Sequence, residues 1–274
     1  LELLADLATT TAMARAADPT THSIVIAWTY AVSIGAGGLL ADDAALELMD
    51  EGLQIAERSG DDFALATARI ALGTALMHRD SPTDRERGLT VLTQLRDAHE
   101  HWSLAELPFV EAYIAWEQGR RGDLDNAIAA LRAAVDDIFN SGQLSWTLKA
   151  TAMFVETLLA RGGEAELQEA QTAIERLAAA PIELRLDREI WLLRLRALLA
   201  GARGDEAAYR NLSRRHRAMA TSLGRLGHMA MADSWTVRAA AAGSSRILSA
   251  SAKMSGKTGW NRLIQWSTAP RRRR

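Results

Sequence analysis

The order of apolar and polar positions along the chain repeats at the scale of a two-helix unit. The clearest unit runs from Ser103 to Phe139. Ser103, with Glu106 three residues later, predicts a capped helix start. Gly122 is placed to end that helix, and Asp123 to cap the next. Ala127, Leu131 and Ala134 then recur at four- and three-residue steps, which is one face of a second helix.

The same grammar returns elsewhere. Gly162-Gly163 precedes a helix predicted to run to about Ala180, where Pro181 stops it. Arg203-Gly204-Asp205 precedes another, predicted to run to about Leu223 and stopped by Gly224. The stretch from His78 to Pro82 predicts a longer turn before a helix carrying Leu89, Leu92 and Leu95. Gly60-Asp61-Asp62 divides a further pair. First helices are thus expected near residues 23, 61, 103, 143 and 185, with a sixth near 225. A period of about 40 residues with two helices per unit predicts an all-α fold, an α-solenoid of about five to six stacked hairpins.

Two details favour stacking. In 185–200, Leu186, Ile190, Leu193 and Ala197 form one stripe, while Trp191, Leu195 and Leu198 form another. A helix apolar on two sides is expected between neighbours. Trp28, Trp116, Trp146, Trp191 and Trp235 all fall in first helices, a pattern read as core between units rather than as a binding platform. The unit resembles the tetratricopeptide repeat, which Ala115, Gly122, Ala127, Leu131 and Ala134 match at its small-residue positions. The closing Pro of that repeat is absent, and the units are longer than its usual length.

Composition and charge sharpen this picture. The chain has 274 residues, no Cys, 48% hydrophobic and 24% charged residues. These values fit a globular protein and exclude a disulfide framework, a Cys-ligated zinc site and a thiol nucleophile. No apolar run is long enough to predict a transmembrane helix, and no signal peptide opens the chain. A cytoplasmic location with no membrane partner is therefore expected. The formal net charge is −2. Residues 234–274 carry nine basic side chains and no acid, which leaves the preceding body at −11. The acidic body is expected to repel nucleic acid, and the basic end to touch anions nonspecifically. We divide the chain into a solenoid over residues 1–235 and a basic tail over 236–274. The tail reads as a solvated, disordered end, or as a shifted reading frame from a high-G+C gene.

Candidate chemistry is sparse. Ser251 to Thr258 ends like a phosphate-binding loop but has Ser where the first Gly is required, and no strand precedes it. His99 and His101 are two residues apart, so they point to different faces of a helix. His78, His216 and His228 have no neighbours at ligand spacing. Arg121-Gly122-Asp123 and Arg203-Gly204-Asp205 read as turn punctuation, and Asp42-Asp43, Asp61-Asp62 and Asp136-Asp137 as helix starts or solvated faces. Arg214-Arg215, with Arg210 and Arg217, reads as a solvated basic face. No catalytic, cofactor-binding or metal-binding residue is assigned. Polar residues on first helices are the candidates for contacts in a groove: Arg69, His78, Glu111, Glu117, Lys149, Glu156, Arg188, Arg194 and His228.

Several long phrases carry a resemblance: Ile55 to Asp61, His78 to Leu89, Ala133 to Phe139, Gly142 to Trp146, Val155 to Leu159, Ile174 to Pro181, Ile190 to Ala200, Arg203 to Tyr209, and Arg217 to Gly224 before Gly227-His228. Together, over about residues 40–235, they resemble the C-terminal helical region of large actinobacterial signalling proteins. Those proteins join a class III adenylate/guanylate cyclase domain to an AAA-type ATPase module and then to such a region. The resemblance implies a noncatalytic region for protein–protein or interdomain contact and signal regulation. It implies as partners a protein or peptide, or neighbouring cyclase and ATPase domains of a longer chain. The cyclase aspartates and the ATPase phosphate loop of that family have no counterpart here. The chain opens on Leu1 within repeat-like sequence, as a piece of a longer product would. An alternative is the sensor arm of an ATP-dependent, LuxR-like transcriptional activator that lacks its DNA reader.

Overall fold

Ala-rich hairpins punctuated by Gly and Asp build an all-α right of way for the chain, seen in a computed structural model that describes residues 9–10, 12–16, 18–98, 106–181 and 185–233. The helices are α1 (Pro19–Gly35), α2 (Asp43–Ser59), α3 (Asp62–Met77), α4 (Pro82–Ala98), α5 (Leu107–Arg120), α6 (Leu124–Asn140), α7 (Leu144–Arg161), α8 (Glu164–Ala179), α9 (Arg185–Ala202) and α10 (Glu206–Ser222). A further helical stretch covers 226–233. No described helix is long and apolar enough to cross a membrane.

Local chemistry sets the boundaries. The Asp18, Asp42, Asp61 and Asp205 carboxylates accept from Thr21, Ala45, Ala64 and Ala208 N–H at 2.8–2.9 Å, satisfying donors that the first helical turn leaves open. Gly60 closes α2 at φ +69°, a conformation that costs other residues a Cβ clash. Three local expectations are refined. α5 starts at Leu107, with Pro108 in its first turn and no side-chain cap, while Ser103 lies outside the described residues. Asp123 occupies the N-cap position of α6, but its carboxylate takes Asn126 Nδ2 at 3.0 Å instead of a backbone N–H. Leu186 is 57% exposed, because it sits at the frayed start of α9, one turn before the sandwiched part.

The helices stack as an α-solenoid. α1, α3, α5, α7 and α9 each pack on the next and form an inner layer. α2, α4, α6, α8 and α10 form the outer layer, each against its hairpin partner. Small residues permit close approach: a Cβ on Gly73 of α3 would sit 2.6 Å from Leu92 of α4, and one on Gly88 would sit 2.9 Å from the Gly73 carbonyl. α9 shows the expected two-sided burial, with Ile190, Leu193, Ala197, Trp191, Leu195 and Leu198 all buried. Burying each large apolar side chain contributes about 1.5–3 kcal/mol.

The superhelix curls until the turn after α1 meets the helical stretch 226–233. α1 touches α7, and the Trp28 and Trp146 rings stack at 5.7 Å. Leu226 N–H donates to the Gly38 carbonyl at 2.9 Å, and His228 N–H to the Gly37 carbonyl at 3.0 Å. A Cβ on Gly37 (φ +72°) would strike the His228 ring at 2.7 Å, and one on Gly227 would strike the Gly37 carbonyl at 2.8 Å. Glycine is required on both sides of this seam. The predicted tail (236–274), Trp235, the loop-like segment 251–258, and His99 and His101 lie outside the described residues.

Candidate functional site

The inner layer carries the side chains that sequence reasoning assigned to a groove, and the curl folds them inward. At their centre is Lys149 on α7. Its ammonium lies 4.4 Å from the Trp116 ring centroid, 5.8 Å from Trp191 and 5.9 Å from Tyr113. Arg120 covers Trp116 at 4.5 Å, and Arg194 lies 5.6 Å from Trp191. Ring faces carry negative potential, so each is a favourable seat for a desolvated cation. Burial is the main force on the Lys149 ammonium and pushes its pKa down to about 8. The Glu156 carboxylate opposes this, while Arg194 and Arg120 add to it. Arg120 is likewise lowered, to about 10, by burial.

Two ion-pair groups flank this centre. Glu156 of α7 pairs with Arg194 of α9, side chains 15% and 12% exposed. Glu117 of α5 is buried among three arginines, with Arg121 at 3.2 Å, Arg120 at 3.4 Å and Arg85 at 3.5 Å. Arg120 Nη1 also donates to the Met77 carbonyl at 3.0 Å. At the turn after α3, His78 Nε2 lies 2.8 Å from the Tyr113 hydroxyl. Burial, with Lys149 and Arg120 nearby, holds His78 well below the usual imidazole range. Burial also raises the Tyr113 phenol.

The third part of the cluster is the seam itself. His228 Nε2 lies 3.1 Å from the Ala36 carbonyl, and His228 Nδ1 lies 3.0 Å from His216 Nε2. A carbonyl only accepts, so Nε2 of His228 carries the proton and Nδ1 accepts from His216. In this arrangement a neutral His228 carries its one proton on Nε2, and a neutral His216 its one proton on Nε2. Desolvation pushes His216 down to about 3 and His228 well below its ordinary value, and neighbouring Arg194 reinforces both shifts. The Trp191 ring meets His228 edge-on at 4.7 Å. Beside it, Arg225 pairs with Asp187 at 2.7 Å.

Of the nine candidates, His78, Lys149, Glu156, Arg194 and His228 are drawn into one cluster, with Glu117 at its edge. Three lie elsewhere. Arg188 donates to the Ala180 carbonyl at 2.6 Å, Glu111 stands 4.0 Å from Arg96, and Arg69 is half-buried on α3. Sequence reasoning missed Tyr113, Arg120 and His216 as members, and read the Trp row as core alone. One signal was present: Lys149 is the sole lysine before Lys253, in a chain that otherwise uses Arg for its cations. Among the described residues no group of three or more acidic or His side chains is arranged to hold a metal ion. No protein-family model, curated protein or solved structure matches the chain.

Proposed function

We propose that the chain is a noncatalytic helical-repeat module for protein–protein or interdomain contact and signal regulation. The observation that supports this reading is the seam. Backbone bonds from Leu226 and His228 to Gly38 and Gly37 tie the helical stretch after α10 to the turn of the α1–α2 hairpin. Beside this seam the exposed apolar side chains include Val32, Leu40 and Leu226. Exposed apolar residues on a helical-repeat scaffold suit contact with another protein surface. In the longer signalling protein that the sequence resembles, the surface would face the neighbouring ATPase and cyclase modules, and the module's state would bias theirs.

Calorimetric titration of the chain with a cyclase–ATPase polypeptide of the kind that the resemblance implies tests this. The expected result is saturable binding that Leu40→Asp and Leu226→Asp weaken without loss of helical content. Absence of binding would overturn the interaction reading. Cyclic nucleotide production by the chain alone would overturn the noncatalytic one.

A further inference from the structure

The inner cluster holds more buried donors than its own acceptors serve. Its two carboxylates are ion-paired, Glu117 with Arg85, Arg120 and Arg121, and Glu156 with Arg194, although Glu117 Oε2 makes no hydrogen bond of its own. Lys149 is left with ring faces. Trp116 Nε1, Trp191 Nε1 and Arg194 Nε are buried and have no acceptor. A buried donor without an acceptor costs about 1–3 kcal/mol, and more when it is charged. The positive potential is not matched either, since Arg85, Arg120, Lys149 and Arg194 face Glu117 and Glu156, with Asp80 adding a charge near Arg120. The cluster is not sealed: Lys149 keeps 5% of its surface, and the Arg120, Arg194 and Glu156 side chains keep 10–15%.

We infer that this cluster is a binding site for an oxyanion, the carboxylate or phosphate group of a small ligand, held by Lys149 with Arg120, Arg194 and the indole N–H groups of Trp116 and Trp191. Charge-assisted bonds from ammonium and guanidinium to such a group are the strong class of hydrogen bond. The anion would complete the missing acceptors and balance the excess charge in one step. The site is formed by buried side chains around Lys149, while the protein-contact surface proposed above is formed by exposed Val32, Leu40 and Leu226, so either can fail without the other.

The test is a titration of the ¹⁵N-labelled full chain with inorganic phosphate and, separately, citrate, at ionic strength matched with sodium chloride. The indole N–H resonances of Trp116 and Trp191, assigned through Trp116→Phe and Trp191→Phe, should shift saturably. The tighter of the two probes names the phosphoryl or carboxylate source. Lys149→Met should weaken binding about tenfold or more, the worth of one charged hydrogen bond. Saturation by neither probe, equal shifts with chloride, or unchanged affinity in Lys149→Met would overturn the proposal. Should Lys149→Met fail to fold, sulfate binding to the unaltered chain between pH of about 7 and about 10 gives the same answer. Sulfate keeps its charge there, so affinity should fall as Lys149 loses its proton, with His78, Tyr113, Arg120, Glu156 and Arg194 as the other titratable groups around it. A flat profile would overturn the proposal.

Discussion

The inner and outer layers use the same spacing of opposite charges to different ends. On the outside, Asp50–Arg87, Glu169–Arg132 and Asp136–Arg176 each join one outer helix to the next, 37 to 40 residues apart. On the inside, Glu156–Arg194 spans 38 residues. The sequence separation is the repeat length in both cases. The environment differs: the Arg132 and Glu169 side chains are 47% and 34% exposed, against 12% and 15% for Arg194 and Glu156. Water and salt screen the outer pairs. The inner pair has little water to fall back on, so loss of one partner strands the other. Repeat spacing therefore says which residues meet, and burial says what the meeting is worth.

The sharpest way to break the comparison is Arg194→Ala, which should lower stability in urea unfolding by about 3 kcal/mol by removing the ion-pair partner of buried Glu156 and leaving it only the Lys149 and Arg120 charges. The double change Glu156→Leu with Arg194→Met should recover most of that loss, since apolar groups of similar volume need no partner. Next, Gly227→Val should cost about 1–3 kcal/mol through overpacking against the Gly37 carbonyl. It should also expose Trp191 and Trp28, read as a red shift in fluorescence before global unfolding.

Acid should act on the inside in a defined window. His216 and His228 are held below the ordinary imidazole value, so the unfolded chain binds more protons than the folded one as pH falls below about 6.5. Their contribution is complete above that pH and is lost progressively toward pH of about 3. A His216→Phe variant should flatten this part of the stability–pH curve. Lys149 works in the opposite part of the scale. Its lowered pKa makes the unfolded chain the better proton binder between about 8 and about 10.5, so stability should rise with pH there. Lys149→Met should remove that rise. The smallest effect belongs to the outer layer: Arg132→Ala should cost about 0.2–1 kcal/mol, and less at high salt.

The hairpin architecture was legible because its determinants are local. Asp42 and Asp61 act within three residues of their own positions, and Gly60 acts at its own φ. The helix pairs and their period follow from such residues and from apolar spacing. Convergence of the inner layer was only partly legible. Repeat spacing placed Lys149, Glu156 and Arg194 on first helices, yet gave no measure of curl. The curl brings Trp28 to Trp146 and Gly37 to His228, contacts that no periodic pattern announces. His216 shows the limit most plainly. It lies on a second helix, which repeat logic assigns to the outside, and it is buried because the next helical stretch, 226–233, brings His228 against it.

The bonds between residues 37–38 and 226–228 also change how the molecule can come apart. An open row of repeats melts from its tips, each unit holding only its neighbours. Here the first and last described hairpins are clasped together, so neither is an open tip. Damage to either of these hairpins should therefore be felt at the other, and parting of Gly37 from Gly227 should loosen both.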